Sequence, residues 1–130
     1  MNISTLNKLV DLSYKIIHLP SGRFRHFSYI VRRNKIICIG VNCSEKTHTL
    51  SYKFGYRFPR IHSELAAIVR FPHSPEFLTK CALVNIRIGR SKKILLSKPC
   101  RFCTKLISVF GLKEVYYSNQ SGEFERLADG

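Results

Sequence analysis

Ile61-His62-Ser63-Glu64-Leu65-Ala66-Ala67-Ile68-Val69 and, further along, Pro99-Cys100-Arg101-Phe102-Cys103 are the two stretches on which the reading of this sequence turns. The first is an apolar run opened by His-x-Glu. The second is Pro-Cys-x-x-Cys, with Cys100 standing 36 residues after Glu64. One histidine, two cysteines and a nearby glutamate make the donor set of a catalytic zinc site, in which three protein ligands leave a fourth position for water. His62, Cys100 and Cys103 are the candidate Zn2+ ligands, and Glu64 is the candidate acid–base residue. Proline suits the first turn of a helix, because its missing N–H would be unsatisfied there in any case. Pro99 is therefore expected to start the helix that presents Cys100 and Cys103, three apart and on one face. The electropositive end of such a helix favours thiolates. His62 is expected to open the preceding helix in the same way, with Glu64 beside the metal rather than bound to it.

Working outward, Leu6, Leu9, Val10, Leu12, Ile16 and Ile17 recur at helical spacing, which predicts an amphipathic helix over roughly 4–18, capped by Ser4 or Thr5 and ended by Pro20-Ser21-Gly22. Phe24 to Val31 and Lys35 to Val41 are β-rich runs around Arg32-Arg33-Asn34, the pattern of a hairpin. Residues 42–60 show no period and read as a long loop entering the site. Ile61 to Phe71 reads as a helix stopped by Pro72, and the nearly continuous apolar run Cys81 to Ile88 suits a central strand. A basic turn, Gly89 to Lys93, leads to Ile94–Leu96 as an extension of the sheet. Then come a helix over Arg101–Phe110 with Gly111 past its end, a strand over Lys113–Ser118 and a short last strand over Glu123–Leu127. Strands alternating with helices imply an α/β fold, a three-layer α/β/α sandwich about a central mixed sheet of about five strands. The 130 residues are enough for a single domain, 1–130, and too few for a second.

His-x-Glu…Pro-Cys-x-x-Cys in this order is the signature of the zinc nucleobase deaminases. The chain resembles the cytidine deaminase-like superfamily from about Tyr29 to about Phe124. Cys103-Thr104-Lys105-Leu106-Ile107 and Gly111-Leu112-Lys113-Glu114-Val115-Tyr116-Tyr117-Ser118 are similar to the helix, glycine stop and strand of deoxycytidylate-type deaminases. The overall look is that of small deaminase-like proteins of phages and viruses. Histidine as first ligand separates the chain from the free cytidine deaminases, which use three cysteines. It fits the deoxycytidylate, tRNA-adenosine and polynucleotide-cytosine branches. The resemblance implies a hydrolytic deaminase in which Glu64 takes a proton from an activated water and passes it to the ring nitrogen and the departing amine. It also implies that Asn42, in Ile39-Gly40-Val41-Asn42, contacts the substrate sugar; an ordinary turn asparagine after a strand is the other reading. Backbone groups of Ser63 and Lys98 are implied to face the base. Most relatives carry Ala where Ser63 stands.

Charge points to partners. Lys and Arg number 22 against 8 Asp and Glu, a net +14. No acid occurs between Asp11 and Glu45, a span with six Lys or Arg, nor between Glu76 and Glu114, a span with nine. Such an excess attracts phosphates, and it also serves as a solvated basic surface. Tyr52, Phe54, Tyr56 and Phe58 alternate through the 42–60 stretch with Lys53, Arg57 and Arg60 between them. Alternating aromatics and cations suit stacking on bases while holding phosphates, and equally a half-buried strand. Tyr52, Tyr56, Arg57, Arg60, Arg90, Lys92, Lys93 and Arg101 are the candidate nucleic-acid contacts. Cys38 and Cys81 sit among apolar neighbours as packing residues. Cys43 with His48 is too small a set for a second, structural metal site. Five cysteines is an odd number, no N-terminal segment has signal order, and no apolar run reaches the roughly 20 residues of a membrane helix. A reducing, cytoplasmic setting is expected, with no membrane partner.

The expectation is zinc-dependent hydrolytic deamination of a nucleobase, cytosine to uracil in single-stranded DNA or RNA. Deamination of free dCMP is the first alternative. A catalytically inactive, zinc-stabilised nucleic-acid-binding domain is the second, which Glu64 opposes, since a closed structural site needs no acid–base residue. The chain has no Trp, and so lacks the Trp-containing stretch before Pro-Cys of the vertebrate polynucleotide cytosine deaminases.

Overall fold

The computed structural model describes residues 1–21, 24–44, 50, 53 and 61–128. Within them the chain runs α1 (Ile3–Lys15), β1 (Arg25–Arg32), β2 (Lys35–Val41), α2 (Ser63–Arg70), α3 (Pro75–Leu78), β3 (Ala82–Ile88), β4 (Ile94–Leu95), α4 (Arg101–Val109), β5 (Glu114–Ser118) and β6 (Phe124–Arg126). The sheet has six strands, one more than expected, because β4 is a two-residue strand paired with β3 to the side of the main path β2-β1-β3-β5-β6. It is mixed: β3 and β5 run parallel and the other pairs antiparallel.

Alternation along the strands sends side chains to two separate cores. Phe27, Tyr29 and Val31 of β1 and Val84, Ile86 and Ile88 of β3 pack under Leu6 and Leu9 of α1. Ile30 and Leu83 face the other way, into a core with Leu65, Ala67 and Ile68 of α2 and Phe102, Cys103, Leu106 and Ile107 of α4. Helices on both faces complete the three-layer α/β/α sandwich. Buried Ser13 donates to Leu9 O at 2.8 Å and lies 2.6 Å from Tyr29 Oη, so the α1 layer also carries a satisfied polar pair.

Local chemistry sets the boundaries. The cap of α1 is Asn2, not Ser4 or Thr5: Asn2 Oδ1 accepts from Thr5 N–H at 2.8 Å and supplies one of the acceptors that a helix start needs. The β1–β2 hairpin turns through Arg33 and Asn34, both at positive φ (49° and 63°), and Asn34 Oδ1 accepts from Thr5 Oγ1. Gly111 at φ 77° lies just past α4, where an L side chain is strained. The short helix α3 was not legible as a separate element; Ser74 caps it ahead of Pro75. Leu50 and Lys53 are helical, which departs from the loop expected over 42–60, and most of that stretch lies outside the described residues. Gly40 lets α2 approach β2 closely, since a Cβ there would stand 2.8 Å from Ala67 Cα. That close approach brings the start of α2, and the residues that open it, onto one end of the sheet.

Candidate active site

The starts of α2 and α4 converge. His62 is the N-cap residue of α2, and Cys100 is the N-cap of α4. Pro99 therefore precedes the cap instead of opening the helix: the Cys100 sulfur takes the acceptor's place at the helix start, lying 3.5 Å from Cys103 N, and the cap falls two residues later than a proline in the first helical position implies. Cys103 follows one turn into α4, buried against the core.

His62 Nδ1 lies 3.3 Å from Cys103 Sγ and 3.6 Å from Cys100 Sγ, and the three donor atoms lie within 4.8 Å of one another. Zinc–nitrogen and zinc–sulfur bonds of about 2.0 and 2.3 Å at tetrahedral angles place nitrogen and sulfur about 3.5 Å apart. The donor set thus fits a zinc ion in both chemistry and spacing. A hydrogen bond from Cys103, helped by His62 and the Cys103 N–H against the cost of burial, holds the Cys100 thiol down at about 4. The Cys103 thiol is pushed up by that same shared hydrogen bond, by burial and by the nearby Glu64 charge. Without a metal the pair is one thiolate and one thiol; a metal replaces the retained proton. The Phe102 ring meets His62 edge-on, with centroids 5.7 Å apart, and fixes the imidazole plane.

Glu64 is buried beside this cluster, and the sheet holds it. Asn85 Nδ2 donates to Glu64 Oε2 at 2.9 Å, and Ser63 Oγ donates to Glu64 Oε1 at 3.2 Å. Ser28 Oγ lies 2.7 Å from Ser63 Oγ and 2.6 Å from Asn85 Oδ1, closing a buried ring of four contacts. With Glu64 ionised, this ring has three hydrogens, one each from Ser28, Ser63 and Asn85 Nδ2. The second hydrogen of Asn85 Nδ2 goes to Ser97 O at 3.2 Å. A proton on Glu64 supplies a fourth, and all four contacts can then be satisfied by turning two hydroxyls. No heavy atom needs to move. Ser97 Oγ in turn donates to Asn85 O, anchoring the segment that leads into Lys98-Pro99-Cys100.

A cavity of about 680 Å³ opens beside these groups, lined among the described residues by Ser21, Phe24, His26, Asn42, Cys43, Ser44, Ile61, His62, Ser63, Glu64, Ser97, Lys98 and Cys100. Asn42 is there, but its amide is largely committed: Nδ2 donates to Ser21 O and Phe24 O, and Oδ1 accepts from His26 N–H. It clamps one cavity wall and leaves one lone pair of Oδ1 for a ligand. Ser63 and Lys98 both line the cavity, Ser63 buried and Lys98 exposed. Sequence reasoning missed Ser28, Asn85, Ser97, Phe24 and His26. Burial first, then the positive charges of Arg87 and His62, against the opposing pull of Cys100, hold His26 down at about 4, so its imidazole is neutral at physiological pH.

The other candidates lie apart from this centre. Arg90, Lys92 and Lys93 are exposed on the β3–β4 turn and are not among the residues lining the cavity; Tyr14 Oη donates to Lys92 O, and Arg25 braces the turn through Ile88 O and Gly89 O. Arg101 is exposed at the start of α4. Tyr52, Tyr56, Arg57, Arg60 and His48 lie outside the described residues. Cys81 is buried and Cys38 half-buried, its thiol pushed up to about 11 by burial, as packing cysteines are. No helix among the described residues is long and apolar enough to cross a membrane.

Solved structures share this fold. The dCMP deaminase of cyanophage S-TIM5 in its apo form superposes with a TM-score of 0.62 at 21% identity, over 92% of this chain and 86% of that one. Its complex with dCMP and dUMP gives 0.61 at 20% identity, over 92% and 84%. The cytidine deaminase of Burkholderia pseudomallei gives 0.64 at 13% identity, over 98% and 93%. No family model and no curated protein matches the chain. At these identities the likeness defines the fold: the chain has the cytidine deaminase-like fold.

Proposed function

We propose that this protein is a zinc-dependent hydrolase that deaminates a cytosine base. The observation that carries the reading is the juxtaposition of an open His62–Cys100–Cys103 donor set with a buried carboxylate held for proton transfer. A structural zinc site has a closed ligand shell and no use for Glu64. When bound, zinc would supply the acidified water that hydrolysis of an amidine-like C–N bond requires, with a pKa near about 7. The chain's own residues do the rest. Glu64 takes one proton of the attacking water and delivers it to the ring nitrogen, then takes the proton of the newly added hydroxyl and delivers it to the leaving amine, so that ammonia departs as the carbonyl forms. The Ser63–Ser28–Asn85 ring lets Glu64 carry that proton between steps without losing its position. His26, neutral, and the clamped Asn42 wall confine the base beside it.

The substrate reading that the neighbours support is a cytosine nucleotide, since one of them, solved both empty and with dCMP and dUMP, is a dCMP deaminase. A second reading, cytosine within single-stranded nucleic acid, rests on the net +14 and the two long acid-free spans. One assay separates them: zinc-loaded protein is given dCMP, deoxycytidine, single-stranded DNA and RNA, and uracil formation is followed. Release of uracil product from dCMP with no action on strands establishes the nucleotide reading. Action on strands, with binding that weakens by about 0.7 log units per log unit of salt for each phosphate contact, establishes the other. No uracil from any of the four, in protein shown to hold zinc, ends the deaminase reading.

A further inference from the structure

Strand β3 carries two polar side chains on the face turned from α1, Asn85 and, two residues on, Arg87, while Val84, Ile86 and Ile88 between and around them pack toward α1. Asn85 holds Glu64. Arg87 has no such use. Its guanidinium lies 4.3 Å from the centroid of the Phe24 ring, and Phe24 lines the cavity. In the sheet register Arg87 stands opposite His26, another lining residue. The Arg87 Nε is buried with no hydrogen-bond partner, and no carboxylate among the described residues pairs with the guanidinium. Glu64, the carboxylate of the cavity, is already held by Asn85 and Ser63. A cation drawn partly out of water with no counter-charge is unfavourable until an anion joins it. Arg87 thus reaches the cavity wall through Phe24 and His26, and Lys98, which itself lines the cavity, is likewise without a carboxylate among the described residues.

We propose that Arg87, stacked on the lining residue Phe24, forms with the lining residue Lys98 an anion subsite that binds the phosphate of a phosphorylated cytosine nucleoside. The inference rests on the deaminase reading for where the base lies. A guanidinium is a planar fork of donors that matches a phosphate, and the Phe24 ring beneath it holds that fork in one plane before the ligand arrives. Arg87 stands about 7 Å along the strand from Asn85, two residues at about 3.3 Å each. A nucleotide has the same polarity: the base carbon under attack is at one end, the sugar lies between, and the phosphate is at the other. Free nucleotides and single strands both present this group, and the shared chemistry is the phosphate.

The test compares the zinc-loaded parent with Arg87→Met, which keeps length without charge, and Arg87→Lys, which keeps charge without the fork. Binding of dCMP, deoxycytidine, inorganic phosphate and a short oligonucleotide containing one dC is measured by titration calorimetry. Arg87→Met is expected to weaken dCMP or oligonucleotide binding by roughly tenfold or more, as loss of a charge-assisted hydrogen bond does. Deoxycytidine binding should change by less than about twofold. Arg87→Lys should fall between the parent and Arg87→Met. A loss confined to dCMP assigns the phosphate to the free nucleotide, and a loss confined to the oligonucleotide assigns it to the strand backbone; either upholds the subsite. Unchanged binding of every phosphorylated probe overturns it, and so does an equal loss for deoxycytidine and dCMP, which would make Arg87 a structural support of Phe24. Because these are binding measurements, a parent that binds dCMP through Arg87 but turns over nothing would defeat the deaminase reading while leaving the subsite standing.

Discussion

Asn85 Nδ2 reaches Glu64 Oε2 across 2.9 Å, from the middle of the largely apolar strand β3 to the carboxylate in the first turn of α2. The bond joins the sheet to the acid–base residue, and it shares Asn85 with Ser28 and Ser97. On the proposed function Asn85 is a positioning residue: it orients the carboxylate that would move the proton and does not need to touch substrate.

Replacing Asn85 with Leu should therefore lower kcat by about 10²-fold, the scale set by misplacing a reacting group by about 1 Å. KM and zinc content should stay near those of the parent. Ser28→Ala breaks the same ring from the opposite side and should lower kcat by a smaller factor. Steady-state kinetics with elemental analysis of each variant checks this. A loss carried by KM alone, or by zinc, would assign Asn85 a different role.

Glu64→Ala should keep fold and zinc and lose deamination by at least about 10² to 10⁴-fold, the range of general acid–base assistance. Loss of metal together with activity would make Glu64 a ligand. Activity equal to the parent's would remove proton transfer by this residue from the mechanism.

The centre of the site was legible because its chemistry is local. His62, Glu64, Cys100 and Cys103 belong to two short stretches whose spacing follows from helix starts, and the hydrophobic period marked α1, β3 and α4 to within a few residues. Ser28, Asn85 and Ser97 come from three separate segments, and only the tertiary fold joins them. Their one trace in the sequence is a polar residue in an apolar strand: Asn85 within Cys81–Ile88, and Ser28 between Phe27 and Tyr29. Helix and cap ends shifted where side chains competed to be the acceptor, as Asn2 did at α1 and Cys100 at α4.

Cys100 has two duties in the structure, as ligand candidate and as cap of α4. Cys100→Ala removes both, so zinc stoichiometry should fall from one per chain toward zero. The melting temperature should fall to about that of parent stripped with a chelator, with a further small loss for the missing cap, typically about 1 kcal/mol. Elemental analysis and thermal melts of loaded and stripped protein read the two effects separately. Full zinc content in the variant would remove Cys100 from the ligand set.

Gly40 connects the fold to the site most directly. A methyl group at this position of β2 would run into Ser63 O and Ala67 N of α2, and would stand 2.8 Å from Ala67 Cα. These are backbone atoms, so no side chain can swing away to make room; α2 itself must move off the sheet. Ser63 sits between His62 and Glu64, and a shift of α2 carries both away from Cys100, Cys103 and Asn85. Gly40→Ala should therefore destabilise the protein by about 1–3 kcal/mol through overpacking and, unlike an ordinary core defect, should also weaken zinc binding. Lys35→Ala, at an exposed position on the same strand, serves as the control and should change neither. Urea unfolding of the zinc-loaded proteins and competition for zinc with a chromogenic chelator give the two readings. If Gly40→Ala loses stability but binds zinc as tightly as the parent, the packing of α2 on β2 does not set the geometry of the metal ligands.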